Sequence, residues 1–185
     1  MENLVLGIVF LVLYLIVMGV ELANYVMVSL SVYTLAKHRD IPNPWLAWIP
    51  VANYWMIGRL TNALDLQKGL ERKWHVTLLS LTLWSVGLTV VAYLSLIVAG
   101  IAYSFIGYLD LLPMILPFYL LIIVAAVVAV ALTICTAICI FKIFEATVPQ
   151  KAVRYLLCFL LVPLGAGICL LKARNADEFQ EIVEE

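Results

Sequence analysis

From Leu4 to Leu35 the chain runs through about 32 residues with Glu21 as its single charged side chain, which as an α-helix would measure roughly 48 Å. A bilayer core is about 30 Å thick and is crossed by about 20 apolar residues. This run is therefore long enough to cross, and it must tilt or emerge into one interface. Three more apolar runs follow, at about 74–100, 114–141 and 155–171. With 65% hydrophobic and 12% charged residues, against about 25% charged in ordinary soluble domains, the chain has nothing left from which to build a soluble domain beside them. Residues 1–185 read as a single all-α integral membrane domain, a polytopic transmembrane helical bundle. Glu2 is the charged residue before the first run, with neither a basic start nor a small-x-small site after the run, so the run reads as a retained helix. Formal net charge is −1 and no basic arm interleaved with aromatics is present, which points away from nucleic acid as a partner.

A second feature resists the simple pattern. His38 to Asn62, HRDIPNPWLAWIPVANYWMIGRLTN, is apolar and aromatic but broken by Pro42, Pro44 and Pro50. Asn43 before Pro44 suits an N-cap with proline at the first helical position, and Ile49 before Pro50 is biased away from helical geometry. A short helix followed by a break is expected, in an interfacial or re-entrant segment over about 42–60. Trp45, Trp48 and Trp55 are of the type that collects at membrane–water boundaries, and Arg59 is of the type that reaches to phosphate head groups. These four are the expected interfacial anchors. The segment Asp65–Lys73, DLQKGLERK, is the most polar in the chain and reads as an exposed loop, open to contact with anionic lipid.

Lys and Arg counts set the orientation. The stretch 36–73 holds six, the connection 101–113 none and the turn 142–154 three. The first and third are expected to be cytoplasmic in the cell membrane, with the N-terminus outside. If the run 155–171 also spans, Lys172 and Arg174 fall outside, against the rule; if it dips in and returns, every basic cluster is cytoplasmic. The length of this run favours four crossings, with three spans and two re-entrant segments as the alternative. A weak internal echo supports the alternative. A long helix, a basic residue and an apolar segment broken by proline occur first to Lys37 and Pro50, then to Lys142 and Pro163.

Few side chains offer chemistry. Glu21 lies near the middle of the first run, and Tyr14, Met18, Glu21, Tyr25 and Ser29 share a helical face with Asn24 close by. A carboxylate in hydrocarbon must be protonated, paired or wet, so Glu21, Asn24 and Tyr25 form the expected intramembrane polar site, serving either a proton or cation or the packing of helices. Cys135 and Cys139 stand one turn apart, about 5–6 Å between Cβ atoms against the 3.5–4.5 Å of a disulfide. Cys158 and Cys169 would be roughly 16 Å apart on a continuous helix, too far to share a metal ion. The cysteines read as packing residues, and His38 and His75 as interfacial side chains. No metal site, cofactor or catalytic residue is expected, and the Gly-x-Ser-x-Gly, His-Glu-x-x-His, Walker and Gly-x-Gly-x-x-Gly signatures are missing.

The segment from Asn43 to Asn53, NPWLAWIPVAN after Leu35-Ala36-Lys37, resembles a group of small uncharacterised bacterial membrane proteins with a Pro-Trp-x-Ala-Trp-Ile-Pro-x-x-Asn segment after the first helix. Ile140 to Glu145 and Arg154 to Leu157 are similar to that group's turn before its last apolar segment. The resemblance implies a topology and no activity, substrate or catalytic residue. The leading expectation is a non-enzymatic membrane protein acting through the lipid bilayer, a membrane protein partner or a homo-oligomer. The alternative is a small oligomeric channel or transporter with its polar site at Glu21. A lipid-active enzyme is the third and least supported reading.

Overall fold

In hydrocarbon every backbone N–H and C=O must find a partner within the segment, and the apolar runs accordingly become helices. The computed structural model describes residues 2–106, 112–161 and 165–184. The first run is α1 (Glu2–His38), and the second and third are α3 (Trp74–Ile106) and α4 (Leu112–Thr147). Among the described residues, these three helices are long and apolar enough to cross a membrane. The protein is thus an all-α, multi-pass membrane protein with three apolar spans. Asp110 and Pro163 lie outside the described residues.

The expected fourth crossing is not found among the described residues. The run 155–171 is divided between α5 (Ala152–Leu161), about 15 Å long, and α6 (Gly165–Glu184), which turns polar after Leu171. Cys158 on α5 interacts with Cys169 on α6, so the two helices fold back on each other. The 16 Å separation expected on a continuous helix is corrected with it: a break between the cysteines places them side by side.

The proline-broken stretch behaves in a related way. Asn43 stands at the N-cap with Pro44 at the first helical position, as expected, but in a left-handed conformation (φ 61°) and without a side-chain cap, and Pro44–Trp48 forms a single 3-10 turn. Ile49 is extended, as a residue before proline favours, and Pro50 then starts α2 (Pro50–Gln67). The segment runs on past residue 60, and Asp65 belongs to this helix rather than to a loop. A long helix, a 3-10 turn with proline at its start and then a broken apolar segment occur again as α4, Pro149–Lys151, α5 and α6.

Both broken segments pack at one end of the bundle. The core there joins Val32 and Leu35 of α1, Met56 and Leu60 of α2, Leu78 of α3, Ile140, Ile143 and Phe144 of α4 and Leu170 of α6. It is the end to which Lys37, Lys73 and Lys142 belong, called the basic end below. Here, among the described residues, the backbone of α1 runs close to α2, α6 and the 3-10 turn and not to α3 or α4, which pair with each other. Towards its N-terminus α1 has no such cover: every residue from Leu6 to Gly19 is exposed.

Candidate functional site

Two polar constellations emerge, one part-way along α1 and one at the basic end. On α1, the Tyr25 hydroxyl donates to the Trp48 carbonyl at 2.5 Å, at the end of the 3-10 turn. One residue away, Asn24 Oδ1 accepts from the backbone N–H of Gly167 at 2.9 Å, in the first turn of α6. A turn closer to the basic end, Asn53 Nδ2 donates to Ser29 Oγ at 3.1 Å, and Asn53 Oδ1 is buried without a partner. Both broken segments therefore start their returning helices at the same level of α1, about 21 Å along the helix from His38. Proline and glycine make this local structure. Pro50 sets the start of α2, and Gly167 has no side chain because a Cβ there would lie 2.6 Å from Met27 Cβ and 3.1 Å from Asn24 Oδ1.

Of the expected polar site, the structure brings Asn24 and Tyr25 into work on the two breaks and leaves Glu21 apart. Glu21 is exposed one turn farther towards the N-terminus and, among the described residues, has no hydrogen-bond or ion-pair partner. The anticipated stripe divides the same way, with Tyr14, Met18 and Glu21 exposed, Tyr25 half-buried and Ser29 buried. Among the expected anchors, Trp45 and Trp48 are exposed, whereas Trp55 and Arg59 are half-buried, with the guanidinium 4.9 Å from the Trp55 ring centroid.

The second constellation was not expected from the sequence. Asp65 is only 2% exposed, and both its oxygens accept from Lys142 Nζ on α4, at 2.5 and 2.6 Å. Trp74 Nε1, at the start of α3, donates to the same carboxylate at 2.9 Å. One turn earlier on α2, Asn62 Oδ1 accepts the Trp74 backbone N–H at 2.9 Å and so caps α3, while Asn62 Nδ2 donates to His75 Nδ1. That bond puts any proton of a neutral His75 on Nε2. His75 is thus a bonded junction residue and not a solvated one, while His38 is half-buried with an unpartnered Nδ1.

Burial alone would raise the Asp65 pKa. The hydrogen bonds from Lys142 and Trp74, with the charges of Lys142 and Arg72, more than offset it and hold the carboxyl below its ordinary value. Asp65 is therefore ionised at neutral pH and clasps α2, α3 and α4 together. The helices can come this close because Gly58, on the same face of α2 as Asn62 and Asp65, meets the backbone of Trp74 and His75. A Gly-x-x-x-Asn-x-x-Asp spacing was visible in the sequence, but it becomes a face only if the helix continues to Gln67.

Among the described residues no group of three or more His, Cys, Asp or Glu side chains is placed to hold a metal ion. Compared with family models, with curated proteins and with solved structures, the chain matches none.

Proposed function

We propose that the protein is a small, non-enzymatic channel or transporter that works as an oligomer, with Glu21 on its path and the basic end in the cytoplasm. The observation that carries this reading is the pairing of two interrupted segments at one level of α1, beside an exposed carboxylate. Interrupted backbone at membrane depth is tolerated where it is buried in protein or lines a wet cavity, and transporters build midplane sites from broken helices of this kind. Asn24 and Tyr25 fix the two breaks, and Glu21 stands one turn beyond them without a partner among the described residues. A lipid-facing carboxylate is costly, so the face of α1 that bears it is completed by a second copy, which also covers the apolar surface from Leu6 to Gly19. All eleven Lys and Arg residues then belong to the basic end, as a cytoplasmic placement requires.

The test is proton and monovalent-cation flux into liposomes reconstituted with the purified chain. Flux above protein-free vesicles, lost in Glu21→Gln while the oligomer persists by native mass spectrometry, is the expected result. An oligomer without flux, or flux unchanged in Glu21→Gln, would overturn the reading. A second reading, a membrane component that docks a different protein, is favoured by the uncovered half of α1, and its signature is a monomer that gains a partner through that helix.

A further inference from the structure

The helix α2 changes character steadily along one face. Val51 and Ala52 lie near its start, then Trp55, Arg59 and Asn62 follow at helical spacing, covering about 15 Å. Leu79 and then His75 and Lys73 change in the same order on the neighbouring α3 side. Two grooves occupy this seam. One, of about 370 Å³, is walled by Leu46, Ile49, Val51, Ala52, Trp55 and Leu79, and is apolar. The other, of about 680 Å³, lies nearer the basic end and includes Trp55, Arg59, Asn62, Lys73 and His75. Trp55 lines both, so the two are neighbours along the seam.

The polar groove has cations to spare. Arg59 is held over Trp55, and the positive charges of Arg59 and Lys73 both reach His75, yet neither cation has a carboxylate within 4.0 Å. The groove's own carboxylates, Asp40 and Glu71, are exposed and bridge to neither. Arg72 also acts on Asp65, which leaves Arg59, stacked on Trp55, and Lys73 as the groove's cations without a carboxylate partner among the described residues. A half-buried guanidinium with free donors next to an ammonium is an arrangement suited to a phosphate. The neighbouring groove, away from the basic end, has an apolar lining suited to a hydrocarbon chain.

We propose that the seam between α2 and α3 binds one anionic phospholipid of the surrounding bilayer, its phosphate on Arg59 and Lys73 and an acyl chain along Ala52, Ile49 and Leu79. The lipid fills both grooves and joins the 3-10 turn to α2 and α3. This assignment is independent of any transport through the protein. A soluble phosphate would use the basic groove alone; the apolar groove beside it favours the lipid.

The experiment is native mass spectrometry of the full chain released from nanodiscs containing equal amounts of phosphatidylglycerol and phosphatidylcholine. Retention of one phosphatidylglycerol in preference to phosphatidylcholine is expected. Arg59→Gln and Lys73→Gln should each lower that preference about fivefold, with Arg59→Lys restoring most of it. Ala52→Phe, which leaves the charges alone and fills the apolar groove, should also reduce retention. Circular dichroism and the elution volume of each variant establish that it is folded. Equal retention of the two lipids, or retention unchanged in the Arg59 and Lys73 variants, would overturn the proposal. So would displacement of the lipid by inorganic phosphate together with an indifferent Ala52→Phe, which would mark a free-phosphate site.

Discussion

Replacing Asp65 by Asn removes one charge from the junction of α2, α3 and α4 while keeping an oxygen for the Trp74 indole. The Asp65 side chain is 3% exposed and that of Lys142 is 20% exposed, so the substitution strands an ammonium that is four-fifths buried. Breaking one side of a buried pair typically costs about 3–5 kcal/mol, and the remaining exposure of Lys142 puts this case near about 3. Lys142→Met strands the carboxylate instead and should cost a similar amount. Combining the two leaves no buried charge, and such replacements are often neutral. The double variant should therefore lie within about 1 kcal/mol of wild type, with a coupling of at least about 2 kcal/mol. The assay is equilibrium unfolding in mixed micelles by titration with dodecyl sulfate, followed by tryptophan fluorescence. The sign with pH follows from the lowered pKa of Asp65. Its contribution is complete above the unfolded carboxyl value of about 3.9 and is lost as pH falls through the lower folded value. Wild type and Asp65→Asn should differ by a constant amount from about pH 5 to 8 and converge only in stronger acid. Single variants that cost under about 1 kcal/mol, or whose effects simply add in the double variant, would refute the clasp.

Gly58→Ala places a Cβ 2.5 Å from the His75 Cα and 2.6 Å from its N, so the helices must separate. A loss of about 1–3 kcal/mol is expected in the same unfolding assay, whereas Gly87→Ala, with nothing within 4 Å of the added Cβ, should be neutral or slightly stabilising. Asn24→Leu leaves the Gly167 N–H without its acceptor at a cost of about 1–3 kcal/mol, and hydrogen exchange should rise in α6 before it rises in α3 or α4. Three spans put the 68–73 connection and the end of α6 on one side of the membrane. Cysteines introduced at Gln67 and Glu184 in a cysteine-free background should therefore react with an impermeant maleimide from the same face, and labelling from opposite faces would restore the fourth crossing.

The spans were legible because hydrophobicity is a property of each residue summed over a window, and α1, α3 and α4 need no knowledge of their neighbours. The break at Ile49 was legible for an equally local reason, the steric demand of Pro50 on the residue before it. What the sequence hid depended on partners. Asp65 begins a polar-looking run, and its burial arises only because Lys142, 77 positions later, and the Trp74 indole reach its oxygens. Local polarity alone therefore read this helical residue as loop. The run 155–171 is long enough for a span by count, yet Gly167 has to meet Asn24 on α1, which a straight helix entering beside α4 could not do. In both cases a contact between distant segments decided an element whose own composition allowed two outcomes.

The two broken segments are fastened by different physics. On the α2 side the bonds are charge-assisted and shared by three helices, with Asp65 as their centre and a close helix approach at Gly58. On the α6 side Asn24 of α1 accepts a neutral hydrogen bond from Gly167, which packs closely against Met27. Charge-assisted bonds are roughly twice as strong as neutral ones, so the bonds that join α2, α3 and α4 through Asp65 are individually stronger than the Asn24–Gly167 bond between α1 and α6. Among the described residues α1 runs closest to α6, the 3-10 turn and α2, so its position relative to α3 and α4 is set chiefly through those elements. Glu21 travels with α1, beyond the last of these contacts. On the proposed reading, a change in what Glu21 meets would reach α2 and α6 through the bonds that Tyr25, Asn24 and Ser29 make on the same helix.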